Sequence, residues 1–428
     1  MRIGFSPCFF SMGETLPHIK IATLFKKSGY DIVFFSHGGK FEQLSKSFEL
    51  IQLSPLSWIE ARKEREKTQF DPLKNFSMER LMFYPYLVSN NESYVSEEIQ
   101  AFMDADIDVL ICSFNPTVSI SARAAKIPLF MLQSGTATIP FMKTGGVSFP
   151  ENYENLFTSL LPQKLKNRIA RWFLLHNKLL VKNFNTIASK YHTPSFQTIH
   201  DILKGDYNLV CDDIKFLGIE PTEEYPLDRF IGPIFGGLSE TTGGLDEDIK
   251  KHLNNDKKSL FVTLGSTLDD ELFLSIVNTL NTTEYNIIIL DPFHEKRHLS
   301  DIHENILFKT FINSPRKLHE QVDLSIIHGG RGTVYTVAYS GKPAIGIPYY
   351  MEHQYNLDIL VSHGMAIRLS KRNFSPTKLI EAIDHIFTEY DSFLQNAQQL
   401  STHLTPIAGE QNAVNVIKNI IDQEIKKP

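Results

Sequence analysis

Cysteine is scarce in this chain: Cys8, Cys112 and Cys211 are the three in 428 residues. They have no paired spacing, and each falls in or beside an apolar run. That pattern argues against a disulfide framework. Buried, reduced thiols are expected instead, which favours a cytoplasmic setting. Long apolar runs are missing too. No uninterrupted stretch approaches the ~20 residues a helix needs to cross a bilayer, so membrane contact is expected to be peripheral. The opening "MRIGFSPCFF" lacks the apolar stretch and small-residue cleavage site of a signal peptide. There is no excess of positive charge: the net charge of −6 gives no overall attraction to nucleic acid, and no such partner is expected. Internal repeats and low-complexity tracts are absent.

What is present is a globular composition, 42% hydrophobic and 21% charged, on a chain too long for one ordinary core. The N-terminal half alternates short apolar runs with helical patterns. "RIGFS" at 2–6, "YDIVFFS" at 30–36, "FELIQLS" at 48–54, "IDVLICSF" at 107–114 and "IPLFMLQS" at 127–134 read as strands. "LPHIKIATLFKKSG" and "PTVSISARAAK" read as helices, the first closed by Gly29. The second half restarts the pattern with "SLFVTLGS" at 259–266, then "YNIIIL", "NILFKTFI", "DLSIIHGG" and "KPAIGIP". Strand–helix–strand repeats imply parallel sheets with right-handed crossovers. The expected class is α/β: two doubly wound, Rossmann-like domains facing across a cleft. The expected boundaries are 1–232 for an acceptor-binding domain, 233–248 for a Gly/Ser/Thr-rich linker, 249–408 for a nucleotide-sugar-binding domain, and 409–428 for a closing helix that crosses back.

The strongest local signal is "IIHGGRGTVYTVAYSGKPAIGIPYYMEHQYN", residues 326–356. A strand runs into His328, Gly329 and Gly330, then Gly332 and Thr333 open a helix. Glycines at such a turn let backbone N–H groups approach an anion, and the helix N-terminus adds a favourable dipole. Thr333 can donate a hydroxyl bond and His328 a ring N–H. This is a diphosphate cradle without a Walker lysine. "TLGST" at 263–267 offers a second Gly-Ser-Thr turn.

With these residues the sequence resembles the nucleotide-sugar glycosyltransferases of the GT-B fold. The family concerned includes the UDP-glucosyl- and glucuronosyltransferases and the macrolide and sterol glycosyltransferases. Its pattern H-G-G-x-G-T…G-x-P…P-x-x-x-[DE]-[QH]-x-x-N is matched by His328, Gly329, Gly330, Gly332, Thr333, Gly341, Pro343, Pro348, Glu352, His353 and Asn356. The resemblance covers nearly the whole chain and is strong over 259–370. It implies an inverting, metal-independent hexosyltransferase with a nucleotide sugar, UDP or TDP, as co-substrate and no other cofactor. It also implies site roles. His328, Gly330, Gly332 and Thr333 would hold the diphosphate with Ser266 opposite. Phe311 would stack on the base and the Ile312 backbone would pair with it. Glu352 and His353 would bind sugar hydroxyls. Where the family often has a ribose-gripping glutamate, this chain reads Tyr335-Thr336.

The family base is a histidine in the pattern G-H-x-x-P, oriented by an aspartate at the end of a later strand. This chain has Gly13-Glu14-Thr15-Leu16-Pro17, and Ser113 (or Cys112) at the strand end. An imidazole needs a carboxylate to fix its tautomer, whereas a carboxylate base does not, and a second acid nearby would raise its pKa. Glu14 with Ser113 is therefore a self-consistent catalytic pair. The competing reading is that Glu14 caps the helix it opens; the protein would then be a catalytically weak donor-binding subunit supporting a partner. His18 is expected as a helix-face residue. "DADID" at 104–108 reads as solvated helix-end acids, not a metal site.

On the acceptor side, Phe83, Tyr84 and Trp172 suit a small apolar, aromatic or lipid acceptor. No acidic residue lies between Glu154 and Asp201, and the spacing within "PQKLKNRIARWFLLHNKLLVKNF" is helical and amphipathic. Residues 164–184 are thus expected either to touch the inner membrane surface or to pack on the N-terminal domain.

Overall fold

The structure is a computed structural model and describes residues 1–55, 91–178, 181–234, 244–265, 270–292 and 301–425. Phe83, Tyr84 and Ser266 lie outside the described residues, as does most of the expected linker. The chain forms two units. One comprises Met1–Phe149, Leu160–Phe235 and Ala408–Pro428, the other Pro150–Ser159 and Gly236–Ile407.

In the first unit the apolar runs become β1 (Arg2–Ser6), β2 (Asp31–Ser36), β3 (Glu49–Gln52), β4 (Val109–Cys112), β5 (Leu129–Gln133) and β6 (Tyr207–Val210). They pair in the order β3-β2-β1-β4-β5-β6, every pair parallel. Side chains alternate across the sheet. Phe5, Phe34, Ile111 and Phe130 face α1 (Met12–Lys27), while Val33, Phe35, Leu110 and Met131 face α2 (Glu92–Asp104) and α3 (Val118–Ala124). Both faces are apolar, as a sheet covered on both sides requires. Downstream of β5 come α4 (Ile139–Thr144), α5 (Gln163–His176) and α6 (Lys182–Lys190).

The second unit repeats the design. It contains β7 (Ser259–Thr263), α7 (Asp270–Leu280), β8 (Asn286–Leu290), β9 (Ile306–Lys309), α8 (Pro315–Gln321), β10 (Leu324–Ile327), α9 (Arg331–Ser340), β11 (Ala344–Gly346), α10 (Met351–Ser362), β12 (Ala366–Arg368), α11 (Pro376–Thr388) and α12 (Tyr390–Leu404). The strands pair β12-β11-β10-β7-β8-β9, again all parallel. The closing helix α13 (Gly409–Ile420) belongs to the first unit, where Val414 and Ile417 join the core with Ile21 and Phe25 of α1. Gly409 lies against the Pro233 carbonyl, with no room for a Cβ.

One boundary differs from the sequence reading. Pro150–Ser159 lies inside the expected 1–232 domain but groups with the second unit. Polar contacts hold it there. Glu151 pairs with Arg368, its N–H donates to Gln354 Oε1 at 3.0 Å, and Asn152 Nδ2 donates to the Tyr349 carbonyl at 3.0 Å. These partners are far away in sequence, so composition around 150 gives no sign of the switch.

Candidate active site

In the first unit, Ser6 is in register with Cys112, so the loops after β1 and β4 leave the same sheet edge. That is the carboxyl edge, where open parallel sheets place their ligands. Glu14 sits half-buried in the first turn of α1. Among the described residues its carboxylate makes no hydrogen bond or ion pair, so it is not committed to capping α1. Its charge reaches both neighbouring thiols. Burial pushes Cys8 up to about 12, with Glu14 adding to the shift, and burial together with Glu98 and Glu14 raises Cys112. Both thiols therefore stay protonated.

Ser113 is buried directly after β4, and its Oγ has no hydrogen-bond partner among the described residues. The expected Glu14–Ser113 pair thus shares an edge without a hydrogen bond between its members. His18 lies on α1, on its buried face. It is fully buried, its ring meets Phe5 edge-on at 6.1 Å, and its Nδ1 donates to the Glu14 carbonyl at 2.7 Å. Burial, partly offset by the Glu14 and Cys112 carbonyls, depresses it to about 4. It is a neutral core histidine. Of the "DADID" acids, Asp108 accepts from the Arg2 N–H at 2.6 Å, so this carboxylate fixes the start of β1.

The sequence reading missed a buried network beside this edge. Glu98, on α2, is fully buried. It accepts from His37 Nε2 at 2.9 Å, Thr117 Oγ1 at 2.7 Å, Asn115 Nδ2 at 3.3 Å and the Ser121 hydroxyl. His37 follows β2, and its Nδ1 donates to the Ser54 carbonyl at 2.7 Å. With an acceptor at each ring nitrogen, His37 is held as an imidazolium. Burial opposes the charge, but the bond and charge of Glu98 and the Ser54 carbonyl prevail, and the pKa is raised. Asn115 also reaches Ser6 Oγ at 3.3 Å, tying the network to the end of β1. One signal was legible: Val95, Glu98 and Phe102 are in helical phase, so Glu98 shares its face with two core residues.

In the second unit, β10 ends at Ile327 and Gly330 caps α9. Gly329 has φ +91°, and a Cβ there would stand 2.6 Å from the His353 carbonyl. Its own carbonyl accepts from Asn356 Nδ2 at 3.0 Å, so α10 clamps the turn. Gly265, at the end of β7, has φ +75°, and a Cβ there would lie 2.6 Å from His328 Nε2. Gly332 is different: among the described residues a Cβ there would meet nothing within 4 Å, so their packing does not demand this glycine.

His328 is buried and depressed to about 4, a shift the Thr263 carbonyl, 3.5 Å from Nδ1, only partly offsets. His353 lies 4.8 Å from it, ring to ring, and 3.7 Å from the Tyr350 ring. Burial and then the His328 charge drive the His353 pKa well down. Its buried Nδ1 has no hydrogen-bond partner among the described residues. The Thr333 hydroxyl is likewise uncommitted among them. Glu352 sits beside His353 in the first turn of α10. Phe311 presents an exposed ring while Ile312 is buried with Phe261, Ile288 and Leu318, an arrangement that fixes the aromatic at the surface. At the positions where the resemblance would place a ribose-gripping glutamate, Tyr335 is core and Thr336 Oγ1 donates to the Gly332 carbonyl at 2.7 Å.

Two parallel, Rossmann-like α/β units give the chain the GT-B fold shared with solved glycosyltransferases. More particularly, residues 259–414 match the glycosyltransferase family 28 C-terminal domain. Among curated proteins, the human 2-hydroxyacylsphingosine 1-beta-galactosyltransferase is 23% identical over 272 residues, covering 60% of this chain and 48% of the relative. The chain spans about half the length of the curated relatives it matches. Among solved structures, the glycotransferase of kitacinnamycin aligns with TM-score 0.69 at 15% identity, covering 98% of each chain. The glycosyltransferase VinC in complex with dTDP aligns with TM-score 0.67 at 15% identity, over 99% of this chain and all of that one.

Proposed function

We propose that the protein transfers a hexose, with inversion, from a nucleoside diphosphate sugar to a hydroxyl of a small apolar, aromatic or lipid acceptor. The observation that carries this is the cradle at α9. Its glycine turn is clamped by Asn356, and among the described residues nothing lies within 4 Å of a Cβ placed on Gly332. In this reading the acceptor oxygen attacks the anomeric carbon, its proton passes to Glu14, and the bond from that carbon to the diphosphate oxygen breaks. The helix dipole, backbone N–H groups, Thr333 and His328 stabilise the leaving diphosphate, and Glu352 and His353 read the sugar hydroxyls. Catalysis requires Glu14 to reach the acceptor oxygen, and its uncommitted carboxylate supports that role. UDP is the first candidate nucleotide. Thymidine diphosphate is the competitor, because Tyr335-Thr336 supplies no ribose-gripping glutamate and the VinC structure holds dTDP. The human relative's name supports a lipid acceptor.

A thermal-shift panel of UDP- and dTDP-sugars, followed by an acceptor screen with the best donor, tests the proposal. Donor-dependent stabilisation with product formation is the expected result. Tight nucleotide binding with no turnover on any acceptor would favour the donor-binding subunit instead, a reading to which the unbonded Ser113 lends support. A sharper check uses Gly332→Val. Since a Cβ at Gly332 meets nothing among the described residues, the variant should keep the wild-type melting temperature. It should lose at least about tenfold in nucleoside diphosphate affinity by calorimetry, the equivalent of one charge-assisted hydrogen bond. Unchanged affinity would place the diphosphate elsewhere.

A further inference from the structure

Helix α5 is packed the reverse of an ordinary surface helix. Lys166 is 7% exposed and Ala170 is also buried, whereas Leu165, Ile169, Phe173 and Trp172 stand out, from 42% for Leu165 to 62% for Trp172. Its partners hold it in this orientation. Asn167 Oδ1 accepts from the Phe149 N–H at 2.9 Å, and Arg171 Nη1 donates to the Lys143 carbonyl at 3.3 Å. Helical periodicity gathers the four exposed residues on one face about 100° wide. Trp172 is steadied there by His176, whose ring stacks on it at 5.5 Å.

Along one flank of that face run Lys164, Arg168 and Arg171, with exposed Lys178 beyond the helix end. Among the described residues none of the four is paired with a carboxylate. This is a local reversal of sign in a chain of net charge −6. The combination decides the occupant. A second copy of the chain would bring these cations against themselves, and charged residues are depleted from the cores of protein interfaces. An anionic bilayer satisfies both halves at once: acyl chains receive the apolar face, headgroups the cations, and tryptophan favours that boundary.

We propose that α5 is a membrane-interface anchor that lays its Leu165–Phe173 face into an anionic lipid surface. The inference stands apart from the transferase reading and needs no catalytic residue. The test is co-sedimentation of the full chain with phosphatidylcholine vesicles, with or without about one third phosphatidylglycerol. Three variants accompany the wild type: Lys164→Glu/Arg168→Glu, Ile169→Asp/Phe173→Asp, and Trp58→Phe, which leaves Trp172 as the one fluorescent reporter. Binding to the anionic vesicles at low salt, release at high salt, and a blue shift of Trp172 are expected. Each double variant should bind at least about tenfold more weakly, since each basic residue near the surface and each buried apolar side chain adds separately. Matching melting temperatures would show that these exposed substitutions leave the fold intact. Failure of the wild type to bind anionic vesicles would overturn the anchor, as would binding indifferent to both double variants. Self-association abolished by Ile169→Asp/Phe173→Asp would overturn it in favour of a dimer face.

Discussion

Glu14→Gln is expected to lower turnover by at least about a hundredfold while leaving nucleotide-sugar affinity unchanged. Amide and acid have the same shape, and the carboxylate makes no hydrogen bond or ion pair among the described residues, so the substitution removes proton-accepting ability and little else. General base catalysis contributes about 10²–10⁴-fold, which sets the lower bound. The diagnostic is the split between parameters. A lost base lowers kcat and kcat/KM together, whereas a lost capping residue lowers the melting temperature and spares the ratio. Near-normal turnover on a good acceptor would remove Glu14 from the chemistry. The core position of His18 makes the result decisive, because a fully buried imidazole at about 4 is no ready substitute.

Glu98→Gln is expected to be the most destabilising conservative change in the first unit. It leaves the His37 imidazolium buried without its counter-charge, and breaking a buried pair on one side costs about 3–5 kcal/mol. At roughly 2–4 °C per kcal/mol, the melting temperature should fall by about 10 °C. The pH dependence identifies the cause. Facing His37 are Glu98, Glu97, the Ser54 carbonyl and the ring of Tyr94. Its folded pKa is raised, so its contribution to stability is complete below the unfolded value of about 6.5 and is lost as pH rises through the folded value. The gap between wild type and His37→Gln should therefore be widest near pH 6 and narrow in alkali. The neutral buried histidines act oppositely. His18, His200 and His328, each depressed to about 4, withdraw stability as pH falls below about 6.5. A gap that widened with rising pH would mean that His37 is not the charged partner.

The strands were largely legible because a sheet covered on both faces needs continuous apolar runs, and "DIVFFS" and "NIIIL" can be little else. The edge strands β6 and β12 were not read. "YNLV" sits between acids, and "AIR" is too short to show a period. The cradle was legible because its glycines meet steric demands fixed by chain geometry, as Gly265 and Gly329 show with positive φ. The His37–Glu98 network was not, since burial of a carboxylate depends on four donors arriving from two segments far from it in sequence, His37 and Asn115–Ser121. Ser113 marks the limit of reading by analogy. The resemblance brought it to the same sheet edge as the loop that carries Glu14, but gave no sign of whether the two side chains bond, and they do not.

The chain crosses between its units four times, at 149/150, 159/160, 235/236 and 407/408. Modular exchange is correspondingly constrained. A chimaera cut once near 235, to borrow the second unit from a relative, would leave Glu151 and Asn152 facing a foreign counterpart of Arg368 and Tyr349. It would also import a terminal helix that must replace α13 on α1. Successful recombination of such halves should require 150–159 to travel with the second unit and 408–428 to stay with the first. In evolutionary terms, each heritable structural unit is then an interrupted sequence, and simple exchange at one breakpoint is the least productive route to a recombined chain.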